Sequence, residues 1–440
     1  MRKFILTCLV LVSSLFSHAQ ILTTSADKII DHEGNEVQLR GVNLGTWFLI
    51  EPYMISEGEA KAQWQIKRKM IAKGATAEEV ERFFATWHDL FIQRGDIDHI
   101  ASLGLNNVRL PLHYELFLTA HQRAVHDAII VDSSKYGAFI DSLKKWQSDN
   151  QLFTDLGVEG FRRIDSILLW SRPHGIYVTI DLHAAPGGQG NQLAINDAFL
   201  SNQFWKGRHA KLFQSLTTLL WKNISARYKN DETVAMYDML NEPNHIIYIP
   251  RLRKFYKKTL EAIRSNGDQH LALIEGGLWG STYMLTRPQF FRRHKINNIV
   301  YNVHDYSGWR QPKNKRQAGL LKARQNVVPF ILTDELTACR FRKKNQVPVY
   351  VGEFGEMGAD WVAKKILTYD SLKLSWAFWS YKKIEYHDGH CGSGLSCTEP
   401  IDFYSREGRE KCLAALREKK FILSQEYINA MKGKPTIYRP

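Results

Sequence analysis

Two glutamates follow predicted strands, and together they are the clearest chemical signal in the sequence. Glu242 comes after the apolar run Val234–Leu240 in the motif Asn-Glu-Pro, and Glu353 ends the run Val349–Glu353 in the motif Gly-Glu-Phe-Gly. Two carboxylates that face each other across a cleft suit glycoside hydrolysis, because one protonates the leaving oxygen while the other meets the oxocarbenium-like centre. The sequence therefore predicts a pair of catalytic carboxylates.

Further polar and aromatic residues lie near predicted strand ends and suit roles beside this pair. Arg109 and Tyr306 are expected to hydrogen-bond Glu353 and keep it ionised. Asn241 is expected to bind a sugar 2-hydroxyl, and Trp379 offers a flat apolar face for a pyranose ring. The predicted substrate-binding set is Glu51, Arg109, His183, Asn241, His304, Tyr306 and Trp379.

Eight short apolar runs are available to position these residues, and amphipathic stretches of helical period lie between them. No linker or repeat interrupts the series. Parallel strands that alternate with helices predict an α/β fold, a single (β/α)8 TIM barrel, with its functional residues at the C-terminal ends of the strands. The predicted strands are Gln38–Asn43, Asn107–Leu110, Tyr177–Leu182, Val234–Leu240, Leu271–Glu275, Ile299–Val303, Val349–Glu353 and Ser375–Ser380.

Additions to this barrel are predicted near its N-terminus. Lys28 to Leu39 reads as a β-hairpin, Ile55–Gly95 is an insertion after the first strand, and Leu116–Gly160 is an insertion after the second. Gly104 and Gly175 come just before strands, which is typical of glycines that end helices. The predicted helices include Asp96–Leu103, Phe161–Arg172, His209–Tyr228, Pro250–Ser265 and Ala359–Leu372.

Residues 1–19 are predicted to be a secretory signal peptide. A cationic start precedes the apolar run Phe4–Leu15, and Ala19 completes a candidate cleavage site. No other stretch is long and apolar enough to span a bilayer. We therefore expect a secreted or periplasmic protein with no stable membrane insertion, in which residues 20–440 form one catalytic domain.

Composition narrows the class of partner. The 440 residues carry a formal charge of +14, and 12% of them are aromatic. A basic surface suits nucleic acid, anionic membranes or acidic substrates, and basic residues outnumber acidic ones between positions 310 and 344. The 12 tryptophans nevertheless fit a sugar cleft better than a phosphate-binding face. We expect an oligo- or polysaccharide substrate, no nucleic acid, no metal and no cofactor.

Four cysteines follow the predicted signal peptide, namely Cys339, Cys391, Cys397 and Cys412. The short Gly- and Ser-rich loop between Cys391 and Cys397 suits a local disulfide in an exported protein. Free thiols, or a zinc site that includes His387 and His390, are the alternatives.

Taken together, these motifs resemble glycoside hydrolase family 5, a family of retaining (β/α)8 glycosidases. The resemblance extends from about Ile29 to Tyr386. It implies that Glu242 is the acid/base, that Glu353 is the nucleophile, and that a covalent glycosyl-enzyme intermediate forms. The positions typical of the family's active site are, in order, Arg109, His183, Asn241, Glu242, His304, Tyr306, Glu353 and Trp379.

Two motifs resemble the exo-β-1,3-glucanase branch of that family. They are Arg-Gly-Val-Asn-Leu-Gly-Thr-Trp-Phe-Leu-Ile-Glu-Pro, from Arg40, and Asp-Leu-His-Ala-Ala-Pro-Gly-Gly-Gln, from Asp181. In that branch the glutamate that matches Glu51 holds the terminal glucose, whereas the stretches after Arg109 and Pro186 depart from the branch's pattern. The resemblance favours a β-glucan or related β-glucoside. An endo-β-1,4-glucanase, or another family 5 β-glycanase that acts on mannan or xyloglucan, is the alternative.

Rival functions fit the residues less well. A metal-dependent hydrolase favours paired histidine ligands, but His183 and His304 stand singly. No Gly-x-Ser-x-Gly motif of a serine esterase lies at a strand-to-helix turn. A non-catalytic carbohydrate-binding barrel would not need two facing glutamates, and both Glu242 and Glu353 are present.

Overall fold

The computed structural model describes residues 21–55, 59–200, 202–244, 249–281, 286–307, 335–355, 357–384, 394–398 and 402–433. Eight parallel strands close into a barrel in chain order, with each strand beside the next along the chain, which confirms the predicted fold. The eighth strand pairs with both the first and the seventh, so the sheet has no free edge. The barrel strands are β3 (Arg40–Asn43), β4 (Asn107–His113), β5 (Tyr177–Ala184), β6 (Val234–Asp238), β7 (Leu271–Glu275), β8 (Ile299–His304), β9 (Val349–Glu353) and β10 (Ser375–Phe378).

Helices surround the barrel. In chain order they are α1 (Gln63–Ala72), α2 (Ala77–Leu90), α3 (Arg94–Ser102), α4 (Ala120–Val131), α5 (Tyr136–Ser148), α6 (Glu159–Ser171), α7 (Leu193–Asn196), α8 (Ala210–Tyr228), α9 (Ile249–Arg264), α10 (Pro288–Arg293), α11 (Glu335–Asn345), α12 (Ala359–Ser371), α13 (Arg406–Arg417) and α14 (Gln425–Met431). Single turns of 3-10 helix cover Pro52–Ile55, Tyr114–Phe117, Ser133–Lys135 and Arg172–His174. Gly104 (φ 76°) and Gly175 (φ 64°) adopt the left-handed conformation that ends a helix, as predicted. No helix in the described part of the chain is both long and apolar enough to cross a membrane.

The N-terminal hairpin covers the end of the barrel where the strands begin. β1 (Thr23–Ser25) pairs with β2 (Lys28–Ile30), and Ile30 forms a bridge with Glu36. The hairpin predicted over Lys28 to Leu39 is therefore present, and its two arms pair through the bridge between Ile30 and Glu36. The strand β1, which pairs with β2, lies before the predicted range. Its apolar side chains pack with inward-facing strand residues in a cluster of Leu22, Ile29, Leu39, Ala235, Met236, Leu271, Leu273, Val300, Tyr350 and Ala377.

Each predicted insertion folds as a pair of helices against the barrel. The insertion after β3 contains α1 and α2, and the insertion after β4 contains α4 and α5. Capping boxes start α2 at Thr76 and α4 at Thr119. The Trp87 indole of α2 donates to the backbone carbonyl of Trp47 at 3.0 Å, so this insertion is anchored to the segment that follows β3.

A buried ion-pair network joins the two insertions beneath the surface. Lys67 Nζ of α1 lies 3.2 and 3.3 Å from the two carboxylate oxygens of Glu115, and 3.9 Å from a carboxylate oxygen of Asp127 in α4. Burial disfavours both charges, but attraction between them prevails, so the pKa of Lys67 is raised and that of Glu115 is lowered. This network, formed by Lys67, Glu115 and Asp127, is called the insertion bridge below.

A small sheet completes the described C-terminal part. It consists of β11 (Lys382–Lys383), β12 (Ser396–Cys397) and β13 (Ile422–Leu423). Cys397 is disulfide-bonded, so it has no thiolate to offer zinc, whereas Cys339 and Cys412 are buried free thiols. Some predictions fall outside the described residues: the signal peptide, Cys391, His387, His390 and most of the basic stretch 310–344.

We predict that Lys67→Met destabilises the protein, because it leaves Glu115 buried without its main counter-charge. Removal of one partner from a buried pair costs about 3–5 kcal/mol, which should appear as a lower free energy of unfolding in urea. Lys145→Met is the matched control, since Lys145 pairs with Asp149 in solvent, and it should leave the urea transition unchanged. Equal transitions for the two variants would show that the insertion bridge does not stabilise the fold.

Candidate active site

The C-terminal ends of the barrel strands place a ring of polar side chains in the mouth of the barrel. Parallel strands of a closed barrel all end at the same face, so residues far apart in sequence meet there. All members of the ring are buried. They are Asn43, Arg109, Asp181, His183, Asp238, Glu275, Asn302, His304 and Glu353.

Arg109 is the centre of this ring and is completely buried. Its Nη1 donates to Glu353 Oε1 at 2.7 Å and to Asn43 Oδ1 at 3.0 Å. Its Nη2 donates to Asn241 Oδ1 at 2.7 Å. Asp238 Oδ2 accepts two further hydrogen bonds, from Nε at 3.0 Å and from Nη2 at 2.8 Å. The guanidinium group therefore fixes the orientation of acidic and amide side chains from several strands.

Glu353 is surrounded by groups that stabilise its ionised form. Besides Arg109 on Oε1, the Tyr306 hydroxyl donates to Oε2 at 3.1 Å, and His304 Nδ1 lies 3.3 Å from Oε2. Burial alone would raise the pKa of this carboxyl, but the positive charges of His304, Arg109 and His183 outweigh it and hold the pKa below its usual value. Glu353 is therefore an anion at neutral pH.

Glu242 has the opposite environment. Its backbone is left-handed (φ 44°), and its N–H donates to Glu275 Oε2 at 2.8 Å. Its Oε1 lies 2.6 Å from His304 Nδ1. Burial raises the pKa of Glu242 to about 7. The contact with His304 opposes this rise, and the negative charges of Glu353 and Glu275 add to it. Near neutral pH, Glu242 therefore has a proton to give.

The two glutamates are close enough to act on the same atom. A carboxylate oxygen of Glu242, one of Glu353 and a ring nitrogen of His304 all lie within 4.8 Å of one another. Carboxyl groups about 5–5.5 Å apart are typical of retaining glycosidases, whereas inversion needs about 6.5–9.5 Å to admit a water molecule. The spacing fits retention.

His183, a member of this polar ring, links Glu51 to its other members. His183 Nδ1 lies 2.7 Å from Asp181 Oδ2, and its Nε2 lies 3.7 Å from Glu51 Oε1. Burial would lower the pKa of His183, but the acidic neighbours, above all Asp181, raise it to about 10. The side chains of His183 and Glu51 thus form one wall of the mouth.

Trp379 packs against this wall. Its ring stacks on that of His183 with centroids 5.4 Å apart and an interplanar angle of 7°, and its indole N–H donates to the Tyr53 hydroxyl at 3.0 Å. Only 2% of Trp379 is exposed, whereas Tyr53 is 43% exposed. One face of the Trp379 ring is therefore taken by His183, and little of its surface faces solvent.

Comparison with known proteins identifies the family. A family model described as Cellulase (glycosyl hydrolase family 5) matches residues 30–384. The chain belongs to glycoside hydrolase family 5. It is thus a glycoside hydrolase, an enzyme that hydrolyses O-glycosyl bonds, as the paired carboxylates predicted.

Several proteins of known name are similar to this family 5 chain. It is 28% identical to a β-xylosidase of Phanerodontia chrysosporium, over 82% of this chain and 71% of the relative. It is 26% identical to a probable glucan 1,3-β-glucosidase A of Emericella nidulans, over 61% of this chain and 56% of the relative. A glucan endo-1,6-β-glucosidase B of Emericella nidulans is 24% identical, over 78% of this chain and 80% of the relative. The crystal structure of an endogalactoceramidase shares the fold with a TM-score of 0.54 at 16% identity, covering 94% of this chain and 84% of that one.

The structure brings all of the predicted site residues to this end of the barrel. The expected hydrogen bonds from Arg109 and Tyr306 to Glu353 are present. Asn241 accepts from Arg109, and Glu51 lies against His183. The roles of Glu51, His183, Asn241, His304 and Trp379 in sugar binding stay predictions.

Part of the ring of polar side chains at the barrel mouth was not predicted from the sequence. Asp238 and Glu275 end the otherwise apolar strands Val-Ala-Met-Tyr-Asp and Leu-Ala-Leu-Ile-Glu. An acidic residue at the end of a fully buried strand needs a polar or charged partner. This requirement could have indicated that Asp238 and Glu275 belong to the polar ring. The members to which the sequence assigned no role are Asn43, Asp181, Asp238, Glu275 and Asn302.

Two groups of side chains in the described residues have the spacing of metal ligands. In the first, Glu242, His304 and Glu353, the carboxylates Glu353 and Glu275 raise the pKa of His304 well above its usual value against the effect of burial, so the imidazole itself supplies positive charge between the acidic groups. In the second, Glu115, His126 and Asp127, the ammonium of Lys67 already supplies the cation. Hydrogen bonds and ion pairs account for both groups.

We predict that Glu242 titrates with a midpoint near 7, and that Glu353→Gln lowers this midpoint because it removes a neighbouring negative charge. Carboxyl ¹³C NMR of glutamate-labelled protein measures both values. A wild-type midpoint near 4.5, or a rise in the variant, would contradict the described electrostatics.

Proposed function

We propose that this family 5 enzyme is an exported, retaining β-glycosidase that releases sugar from β-glucans or related β-linked glucosides. The observation that carries the proposal is the pair Glu242 and Glu353. One carboxylate oxygen of each lies within 4.8 Å of the other, and their pKa values are shifted in opposite directions. Such a pair offers a proton donor and an anionic nucleophile at the same pH.

In the first proposed step, Glu353 attacks the anomeric carbon and the bond to the departing oxygen breaks. Glu242 gives its proton to that oxygen, so the leaving group departs as an alcohol. Arg109 and Tyr306 hold the nucleophile in place through its two oxygens. The product is a covalent glycosyl-enzyme.

In the second step, Glu242 is an anion and acts as a base. It takes a proton from water while the water oxygen attacks the anomeric carbon, and the bond to Glu353 breaks. Two displacements at the same carbon return the original anomeric configuration. Both glutamates regain their starting protonation states.

Exo-β-1,3-glucanase-like specificity is the first candidate. It is supported by the motif that contains Glu51, by the position of Glu51 beside His183 at the mouth, and by a relative named as a glucan 1,3-β-glucosidase. The chain spans little more than half of that relative. Endo action is the second candidate, favoured by the relative named as an endo-1,6-β-glucosidase. Export rests on the predicted signal peptide, residues 1–19.

We predict that Glu353→Ala lowers turnover of an aryl β-glycoside by several orders of magnitude, because no nucleophile remains. Azide should restore turnover in this variant and give the α-glycosyl azide. In Glu242→Ala, azide should instead intercept the glycosyl-enzyme and give the β-azide. Product NMR distinguishes the two. Full activity of Glu353→Ala, or a wild-type product that first appears as the α-anomer, would contradict the assignment.

We predict that laminarin releases glucose as its first product if the enzyme acts in the exo mode. The purified protein is incubated with laminarin, lichenan, cellulose oligomers, mannan and xyloglucan, and the first product of each is identified by chromatography. Mixed oligomers would favour the endo candidate. Activity confined to mannan or another non-glucan would overturn the glucan assignment.

A further inference from the structure

Glu275, at the end of β7, is a fully buried carboxylate that has no task in the two steps above. Its Oε2 accepts the backbone N–H of Glu242 at 2.8 Å. Its Oε1 accepts Asn302 Nδ2 at 2.8 Å and lies 3.3 Å from His304 Nε2. The side chain of Glu275 thus contacts the main chain of Glu242. It also contacts His304, whose imidazole faces the carboxyl group of Glu242.

The contact with His304 extends to the reacting groups. The opposite ring nitrogen, Nδ1, lies 2.6 Å from Glu242 Oε1 and 3.3 Å from Glu353 Oε2. A carboxylate on one nitrogen of an imidazole holds the ring in one orientation and keeps that nitrogen protonated. Glu275 therefore determines where the other N–H of His304 points, which is at Glu242.

The contact with the main chain of Glu242 fixes an unusual backbone. A non-glycine residue with positive φ costs on the order of 1 kcal/mol or more, so it persists only where its surroundings hold it. The N–H of Glu242 has Glu275 Oε2 as its partner. Glu275 thus holds Glu242 in two ways. It contacts the backbone of Glu242 directly and its carboxyl group through His304.

The loop after β7 closes tightly over Glu275. Gly280 has φ 62°, and a Cβ atom there would lie 2.8 Å from Glu275 Oε2 and 3.3 Å from His304 Cγ. The carbonyl of Gly280 accepts the N–H of His304 at 3.1 Å. Gly280 thus packs against both Glu275 and His304, and any larger residue there would push into the Glu275 carboxyl group.

We propose that Glu275 is the positioning residue of the proton-transfer step, which holds Glu242 and His304 so that the Glu242 carboxyl group is aimed at the glycosidic oxygen. The inference rests on the proposed role of Glu242 as acid/base. It predicts that loss of Glu275 slows the departure of a leaving group that needs a proton. The attack by Glu353 should be affected less.

The test compares two aryl β-glycosides of the same sugar. Dinitrophenolate leaves without protonation, whereas an unsubstituted phenol needs it. In Glu275→Gln, kcat/KM for the phenyl glycoside should fall by about 10²-fold, the lower range of general acid catalysis, and kcat/KM for the dinitrophenyl glycoside should fall by less than about tenfold. A merely structural defect would lower both values equally.

Asp238→Asn is the matched control, because Asp238 is equally buried and contacts Arg109 but neither Glu242 nor His304. It should act through Arg109 on Glu353 and lower both kcat/KM values alike. Glu242→Ala is the reference, and it must show the selective loss. If it does not, the proposed function fails. If it does while Glu275→Gln shows an even loss, the inference alone is overturned.

Thermal melting identifies variants that do not fold. If Glu275→Gln lacks the wild-type transition, Glu275→Asp is measured in the same way, since it keeps the charge but withdraws the carboxylate from both contacts. The same selective loss in that variant supports the positioning role. Failure of both variants to fold would overturn it, because Glu275 would then be required for the barrel itself.

Discussion

The buried guanidinium of Arg109 is the constraint on which the rest of the site depends. A guanidinium keeps its proton under all ordinary conditions, so the barrel interior must supply negative charge around it. Removal of such an ion from water costs several kcal/mol, and only close, well-oriented partners offset that cost. Glu353 Oε1 at 2.7 Å and Asp181 Oδ2 at 3.1 Å are such partners. Asp238 accepts two hydrogen bonds from the guanidinium, although burial raises the pKa of its carboxyl group well above the usual value. The ring of acids is thus a requirement of the fold as much as of the chemistry.

The different behaviour of the two glutamates follows from this arrangement. Glu353 shares Arg109 and faces two imidazolium rings, so its charge is stabilised. Glu242 is equally enclosed, but the negative charges of Glu275 and Glu353 add to the effect of burial, and the contact with His304 compensates for them in part. Side chains of the same type thereby have their pKa values shifted in opposite directions by their surroundings.

Much of the fold and of the site could be predicted from the sequence, because the signals were local. Each barrel strand is a short apolar run, and a strand that ends in a polar residue places that residue at the mouth whatever the rest of the chain does. The pairing of Asp238 with Arg109 and of Glu275 with Glu242 was not predictable in this way. It depends on which strands are neighbours across the closed barrel and on their stagger. Substrate choice depends on the loops at the mouth, whose shapes are set by distant contacts.

The insertion bridge has a consequence for how such enzymes diversify. Loops around a barrel mouth are often regarded as modules that recombination exchanges one at a time. Here Lys67 comes from one insertion, Asp127 from the other, and Glu115 from the turn between them. A chimaera that receives one insertion from a relative without the matching charge inherits an unmatched ion in its interior. Successful recombination therefore has to carry the stretch from Lys67 to Asp127 as one block, and this linkage limits the combinations of mouth loops that selection can sample.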